Sequence, residues 1–247
     1  MDDTPEAAAR FLPFGEAALL VEFGEAIDRR LSRAVLALDR ALAAAEPIAG
    51  VVETAPSFRS LLVTFDPLAT DAQAVETAIR ERLSGLDAGE APASRRWRLP
   101  ACYEGDLALD LDEVARTAEL TTAEVIERHA GAEHHVYMIG FLPGCPYLGD
   151  LDPALDRPRR AEPRTAVPKG SVAIAVGLTV VYPVTSPGGW HVLARTPVGL
   201  FAASAEPPAL LSPGDGVRFE PVGRAEFDRL EKAVAAGEWA PEPEASS

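Results

Sequence analysis

Lysine is almost missing from this chain: Lys169 and Lys232 stand against 21 arginines. Cysteine is nearly as scarce. Cys102 and Cys145 cannot build a disulfide framework, and their spacing fits no zinc motif. Positive charge is in deficit overall. A formal net charge of −15 excludes wholesale binding to nucleic acid or to an anionic membrane. No run approaches the ~18 apolar residues of a membrane span, and the acidic start MDDTPEAAAR has no apolar core of signal-peptide length, so the cytoplasm is the expected location. Nowhere does G-x-x-x-x-G-K-[ST] occur, which excludes a P-loop, and Ser186 lies outside any G-x-S-x-G elbow, which leaves a hydrolase nucleophile unsupported. No internal repeat is visible.

What is present is globular. With 247 residues, 47% hydrophobic and 25% charged, the chain has length for one large or two ordinary domains. Ala17–Gly24 is strand-like, and Ile27–Ala45 carries Leu31, Val35, Leu38 and Leu42 at helical spacing. Val51–Pro67 predicts two strands around a turn at Pro56–Ser57. A second amphipathic helix follows, with Asp71 as N-cap and Gly85 just past its end. This order predicts a ferredoxin-like α+β domain closed by a strand near Arg96–Pro100. Asp87–Arg96, rich in Ala, Gly, Pro and Ser, reads as a linker. Beyond it come short helices at Leu111–Ala118 and Ala123–Ala130, the second opened by a Thr121/Glu124 capping box. Nine prolines between Pro143 and Pro197 then exclude long helices, and the short β-rich runs among them predict a barrel or sandwich. A last helix precedes a tail expected to be flexible. The expected divisions are 1–90, 91–230, and 231–247 for the helix end and tail.

The positive charge that exists is concentrated. Asp156–Gly170 holds Arg157, Arg159, Arg160, Arg164 and Lys169 against Asp156 and Glu162, with prolines at 158, 163 and 168 to hold it extended. Guanidinium forks suit carboxylate and phosphate oxygens. A solvated loop pairing with nearby acids is the other reading of the same composition. TSPGGWHVLART (Thr185–Thr196) is a second candidate: Gly188 and Gly189 let the backbone approach a ligand, Trp190 can stack on a flat group, and Arg195 can meet a carboxylate. The same residues also fit a hairpin turn with a core tryptophan. His129, His134 and His135 match no standard metal spacing and read as structural, with His129 partly charged at a helix C-terminus. No metal site is expected. Cys145 reads as a small packing residue.

GFLPGCPYLGDLDPALDRPRRAEPRTAVPKGSVAIA, VYPVTSPGGWHVLARTP and LLSPGDGVRFEPV together resemble the allophanate hydrolase subunit 1 family, which includes the 5-oxoprolinase subunit PxpB and the kinase inhibitor KipI. The resemblance covers nearly the whole chain. It implies a ferredoxin-like N-terminal domain followed by a cyclophilin-like β-barrel. It implies a subunit 2-type partner (PxpC or KipA), often with a PxpA-like third subunit. The activity implied is ATP-dependent opening of 5-oxoproline to glutamate, with ATP, alone or with Mg2+, bound by this chain or with a partner subunit. Alternatives within the family are a KipI-like inhibitor of a histidine kinase and a carboxyl-transferase-like component of urea carboxylase. On this reading the arginine loop faces the ligand groove. Arg160, Lys169 and Arg195 are then the catalytic cations, and Arg159, Arg164, Ser171, Tyr182, Ser186, Gly188, Gly189 and Trp190 hold substrate. The chain departs from the family pattern where Cys145 replaces a common Phe, Leu178 a Gln and Val180 a Gly. A β-branched valine rarely takes the positive φ open to glycine, and leucine cannot hydrogen-bond a ligand.

Overall fold

A computed structural model describes residues 9–84 and 94–244, in two compact units, Met1–Ser94 and Arg95–Ser247. The expected linker falls largely outside the described residues, as does Gly85.

The first unit contains β1 (Arg10–Pro13), β2 (Ala18–Glu22), α1 (Arg29–Ala44), β3 (Val51–Pro56), β4 (Ser60–Phe65) and α2 (Ala72–Leu83). Its sheet runs β1-β2-β4-β3, antiparallel throughout. Period-two alternation in β4 turns Leu61, Val63 and Phe65 inward, where they meet Val35 and Leu38 of α1 and Val75 and Ile79 of α2. Each such side chain contributes about 1.5–3 kcal/mol on burial. Leu31 and Leu42 flank this cluster half-buried. Asp28 and Asp71 accept backbone N–H bonds from Arg30 and Ala74 and so cap the two helices. The expected closing strand near Arg96–Pro100 does not belong to this sheet. β1 occupies the edge beside β2, and residues 96–101 pair elsewhere.

In the second unit β5 (Arg96–Ala101) is followed by α3 (Leu111–Thr117), α4 (Thr122–Gly131), β6 (His134–Ile139), β7 (Pro146–Leu148), β8 (Arg164–Val167), β9 (Ser171–Ala175) and β10 (Leu178–Val181). β11 (Ser186–Gly188), β12 (His191–Arg195), β13 (Gly216–Pro221) and α5 (Arg224–Ala236) complete it. Seven strands run β12-β9-β10-β7-β6-β13-β5. Among the described strands only β13 and β5 pair parallel, which a chain can do only through a long crossover. The two ends of the sheet nearly close on each other, because Cys102 and Arg195 exchange N–H···O bonds of 2.8 and 3.0 Å. Leu99, Val136, Leu148, Ile174, Leu193 and Phe219 fill the interior. β9 and β10 are buried at every position, which is why they read as continuous apolar runs. β8 and β11 form a separate antiparallel ribbon.

Pro243 and Glu244, in the tail expected to be flexible, lie along the β5 edge: Pro243 bridges Trp97, Glu244 N–H reaches Arg96 O at 2.7 Å, and Glu244 pairs with Arg98. Strand edges left bare expose unpaired backbone groups, and this segment satisfies them.

The capping box at Thr121 and Glu124 is present. α4 carries His129 into the core, where it stacks on Phe219, meets Tyr103 Oη at 2.8 Å through Nδ1, and lies 3.3 Å from Thr179 Oγ1. Burial holds it neutral, with the neighbouring His134 acting in the same direction, so the partial charge expected at a helix C-terminus does not arise. A histidine whose folded pKa is depressed contributes stability above its unfolded value near 6.5 and loses it as pH falls. The thermal midpoint is therefore expected to drop between about pH 7 and 5, and His129→Gln is expected to flatten that limb. Melting curves across this range check it, and an unchanged slope in the variant would contradict it.

Candidate functional site

The arginine loop between Leu155 and β8 is built around a carboxylate that the sequence does not advertise. Asp110 precedes α3 and reads as an ordinary N-cap, yet its side chain makes no capping bond. It is only 2% exposed, and its oxygens accept from Arg160 Nη1 at 2.7 Å, from both terminal nitrogens of Arg164 at 2.8 Å, and from Val192 N–H at 2.7 Å. Burial alone would raise its carboxyl pKa. The Arg164 bonds, the Val192 N–H and the charges of both arginines outweigh that and hold it below the usual carboxylate range. A buried carboxylate costs several kcal/mol in lost hydration, offset only by such a full set of donors.

Two of the cations expected at the ligand are engaged within the chain. Arg160 and Arg164 share Asp110, with Glu113 a further 3.4 Å partner of Arg160. They anchor the loop to α3 and β12. Arg157 is likewise engaged, donating to Thr117 Oγ1, Val114 O and Leu155 O. Of the alternatives open from composition, pairing with nearby acids is realised for Arg160 and Arg164, two of the five cations of the loop.

Arg159 differs. It is exposed, and its guanidinium carbon lies 5.7 Å from the centroid of the Trp190 ring, with no carboxylate partner among the described residues. It borders a cavity of about 130 Å³ and is the only charged group among the described residues of that cavity's lining. Tyr147, Tyr182 and Trp190 supply aromatic wall, Tyr147 and Trp190 meeting edge to face at 6.0 Å. Burial pushes the Tyr182 phenol up to about 12 and also raises Tyr147. Cys145 and Val180, two of the departures from the family pattern, line the same cavity. Burial drives the Cys145 thiol up to about 12, which removes it as a nucleophile. Valine at 180 meets no backbone conflict, because β10 is regular there. The left-handed residues are Val176 and Gly177, in the two-residue turn before it.

The two glycines of the Pro-Gly-Gly stretch serve different ends. A Cβ at Gly188 would overlap the Tyr182 hydroxyl, whereas one at Gly189 would make ordinary contacts with Pro163 at 3.5 Å and Arg160 O at 3.8 Å. Gly188→Ala is expected to displace Tyr182 and cost about 1–3 kcal/mol, with Gly189→Ala within about 0.5 kcal/mol of the parent. Thermal melts of the pair check this, and equal losses would contradict it.

Lys169, Arg195, Ser171 and Ser186 lie outside this cavity's lining. Lys169 is exposed in the β8–β9 turn. Arg195 is turned to α5, bonded to Lys169 O at 2.8 Å and Glu231 at 3.3 Å. Ser171 is a buried strand residue whose carbonyl accepts from Tyr182 N–H, and Ser186 Oγ is buried in β11. Across the loop is an open hollow of about 690 Å³ whose charged lining is balanced, with Arg157, Arg159 and Arg160 facing Glu113, Asp156 and Glu162. Asp110, Glu113 and His191 bring ligand-type atoms within 4.8 Å of one another. Asp110 has its oxygens committed, and a cation there would meet Arg160 and Arg164, so the two carboxylates belong to an ion-pair network with those arginines. No helix among the described residues is long and apolar enough to cross a membrane.

Comparison with known proteins agrees with this architecture. A family model described as "Carboxyltransferase domain, subdomain C and D" matches residues 9–211. The 5-oxoprolinase B subunit of Bacillus subtilis (strain 168) is 35% identical over 223 residues, covering 86% of this chain and 92% of that protein. The solved structure of TTHA0988 is 35% identical with a TM-score of 0.74, over 83% of this chain but 40% of that longer chain. The urea carboxylase of Kluyveromyces lactis shares the fold at 22% identity, with a TM-score of 0.81, over 96% of this chain and 24% of that one. With a model spanning most of its length and a near end-to-end relative, the chain belongs to the carboxyltransferase-domain, subdomain C and D family, alongside the 5-oxoprolinase B subunits.

Proposed function

We propose that this chain is the B subunit of an ATP-dependent 5-oxoprolinase, working with a PxpC/KipA-like and a PxpA-like subunit to open 5-oxoproline to glutamate. The observation that carries the reading is the small aromatic cavity bordered by the Arg159 guanidinium, in a chain that matches a 5-oxoprolinase B subunit almost end to end. The substrate is a compact, flat five-membered lactam with one carboxylate. The guanidinium of Arg159 offers that carboxylate a bidentate partner, and the aromatic walls suit the ring. Nothing in the cavity suits ATP: the volume is far below that of typical ligand pockets of about 300–1,000 Å³, and one cation cannot balance a triphosphate. In this reading ATP, with Mg2+, is held with or by a partner subunit, and this chain's contribution is to bind and orient the lactam. Within this reading the first unit is a ferredoxin-like module, β2-α1-β3-β4-α2 with β1 as its fourth strand, and the nearly closed sheet is a cyclophilin-like barrel.

The test is ATP-dependent glutamate release from 5-oxoproline by the co-expressed subunits, omitting each chain in turn. Release that disappears without this chain is expected. A well-formed complex that releases no glutamate would overturn the proposal and favour a KipI-like regulator.

A further inference from the structure

We infer that His191 is a positioning residue for Arg159. The inference rests on the substrate reading only for its kinetic consequence. Three consecutive residues, Gly189 and Trp190 leading into β12 and His191 opening it, grip three consecutive residues of the arginine loop. Gly189 O accepts from Arg160 N–H at 2.7 Å, the Trp190 ring lies under the Arg159 guanidinium, and His191 Nε2 donates to Pro158 O at 3.1 Å. The two residues flanking Arg159 are thus tied to the strand that carries its aromatic platform.

The chemistry of the imidazole fixes its role. Pro158 O can only accept, so Nε2 carries the proton, and Nδ1 is buried without a partner among the described residues. Burial lowers the His191 pKa, in keeping with that neutral tautomer. Asp110 and Glu113 stand nearby, but Asp110 already receives Arg160, Arg164 and Val192 N–H. His191 therefore does not complete the ion-pair network. Its one directed bond goes to the carbonyl immediately before Arg159. Proline at 158 has no N–H of its own to hold this point of the loop, and so the carbonyl is the available handle. Without the bond, the exposed guanidinium loses its fixed origin over Trp190, and a carboxylate must order it on binding.

Two variants separate positioning from simple packing. His191→Phe keeps the flat ring and removes the donor, whereas His191→Gln places an amide N–H near the original Nε2. In the 247-residue chain, the Arg159 Nε–H NMR resonance, assigned with Arg159→Lys, is expected to be ring-current shifted by Trp190. That shift should be lost in His191→Phe and retained in His191→Gln. In the assembled complex, His191→Phe is expected to raise the KM for 5-oxoproline about tenfold, equivalent to about 1.4 kcal/mol, with kcat within about twofold and His191→Gln restoring KM. An unchanged Arg159 resonance in His191→Phe overturns the inference whatever the kinetics. A lost resonance with unchanged KM supports the positioning role and counts instead against the cavity as the 5-oxoproline site.

Discussion

Arg159→Ala is expected to raise the KM for 5-oxoproline by roughly 10- to 100-fold in the assembled enzyme while leaving the melting temperature of the chain nearly unchanged. Losing a charge-assisted hydrogen bond costs about 1.5–3 kcal/mol, and each 1.4 kcal/mol is tenfold. The separation of binding from stability follows from the position of the side chain. Arg159 is exposed and serves no carboxylate among the described residues, so its removal leaves no buried charge behind. Arg159→Lys keeps the charge but loses the planar fork and its stacking on Trp190, and is expected to fall between parent and alanine variant. Steady-state kinetics with thermal melts on the same preparations measure both quantities. An unchanged KM would remove Arg159 from the substrate site.

Asp110→Ala is expected to have the opposite profile, a loss of about 3–5 kcal/mol in stability, because it strands two half-buried guanidinium groups and the Val192 N–H. Against a typical total of about 5–15 kcal/mol this leaves the second unit marginal. Denaturant unfolding followed by circular dichroism measures it, and a loss under about 1 kcal/mol would contradict the anchoring role. The pH dependence has a definite sign. A carboxyl depressed in the folded state contributes stability above its unfolded value near 4 and loses it as pH falls through the lower folded value. Asp110→Asn is expected to be less stable at neutral pH and to lack that acid limb. Arg160→Ala is expected to be milder than Asp110→Ala, since Arg164 still bonds both carboxylate oxygens.

Local rules read the elements well where the chain alone decides them. Asp71 as N-cap, the Thr121/Glu124 box and the turn after Pro56 all follow from short-range hydrogen bonding and backbone preference, and the structure has each of them. Partnering of strands did not follow in the same way. β5 has the composition of any half-buried strand, and nothing within it says that its neighbours are β13, residues 243–244 and, through Cys102, β12. Short strands such as β7, β8 and β11, three or four residues long, carry too little periodicity to announce themselves.

The sequence by itself determined that this is an acidic two-unit α+β protein of a recognisable family, with a locally positive, proline-stiffened loop and an aromatic Gly-Gly turn after it. Which of those cations is available to a ligand was decided only by tertiary structure. Arg159 and Arg160 are adjacent in sequence and chemically identical. Asp110, fifty positions earlier than Arg160, takes Arg160 and Arg164 and leaves Arg159 to Trp190. Electrostatic pairing depends on distances of a few ångströms in the folded chain, and sequence separation carries no information about those distances.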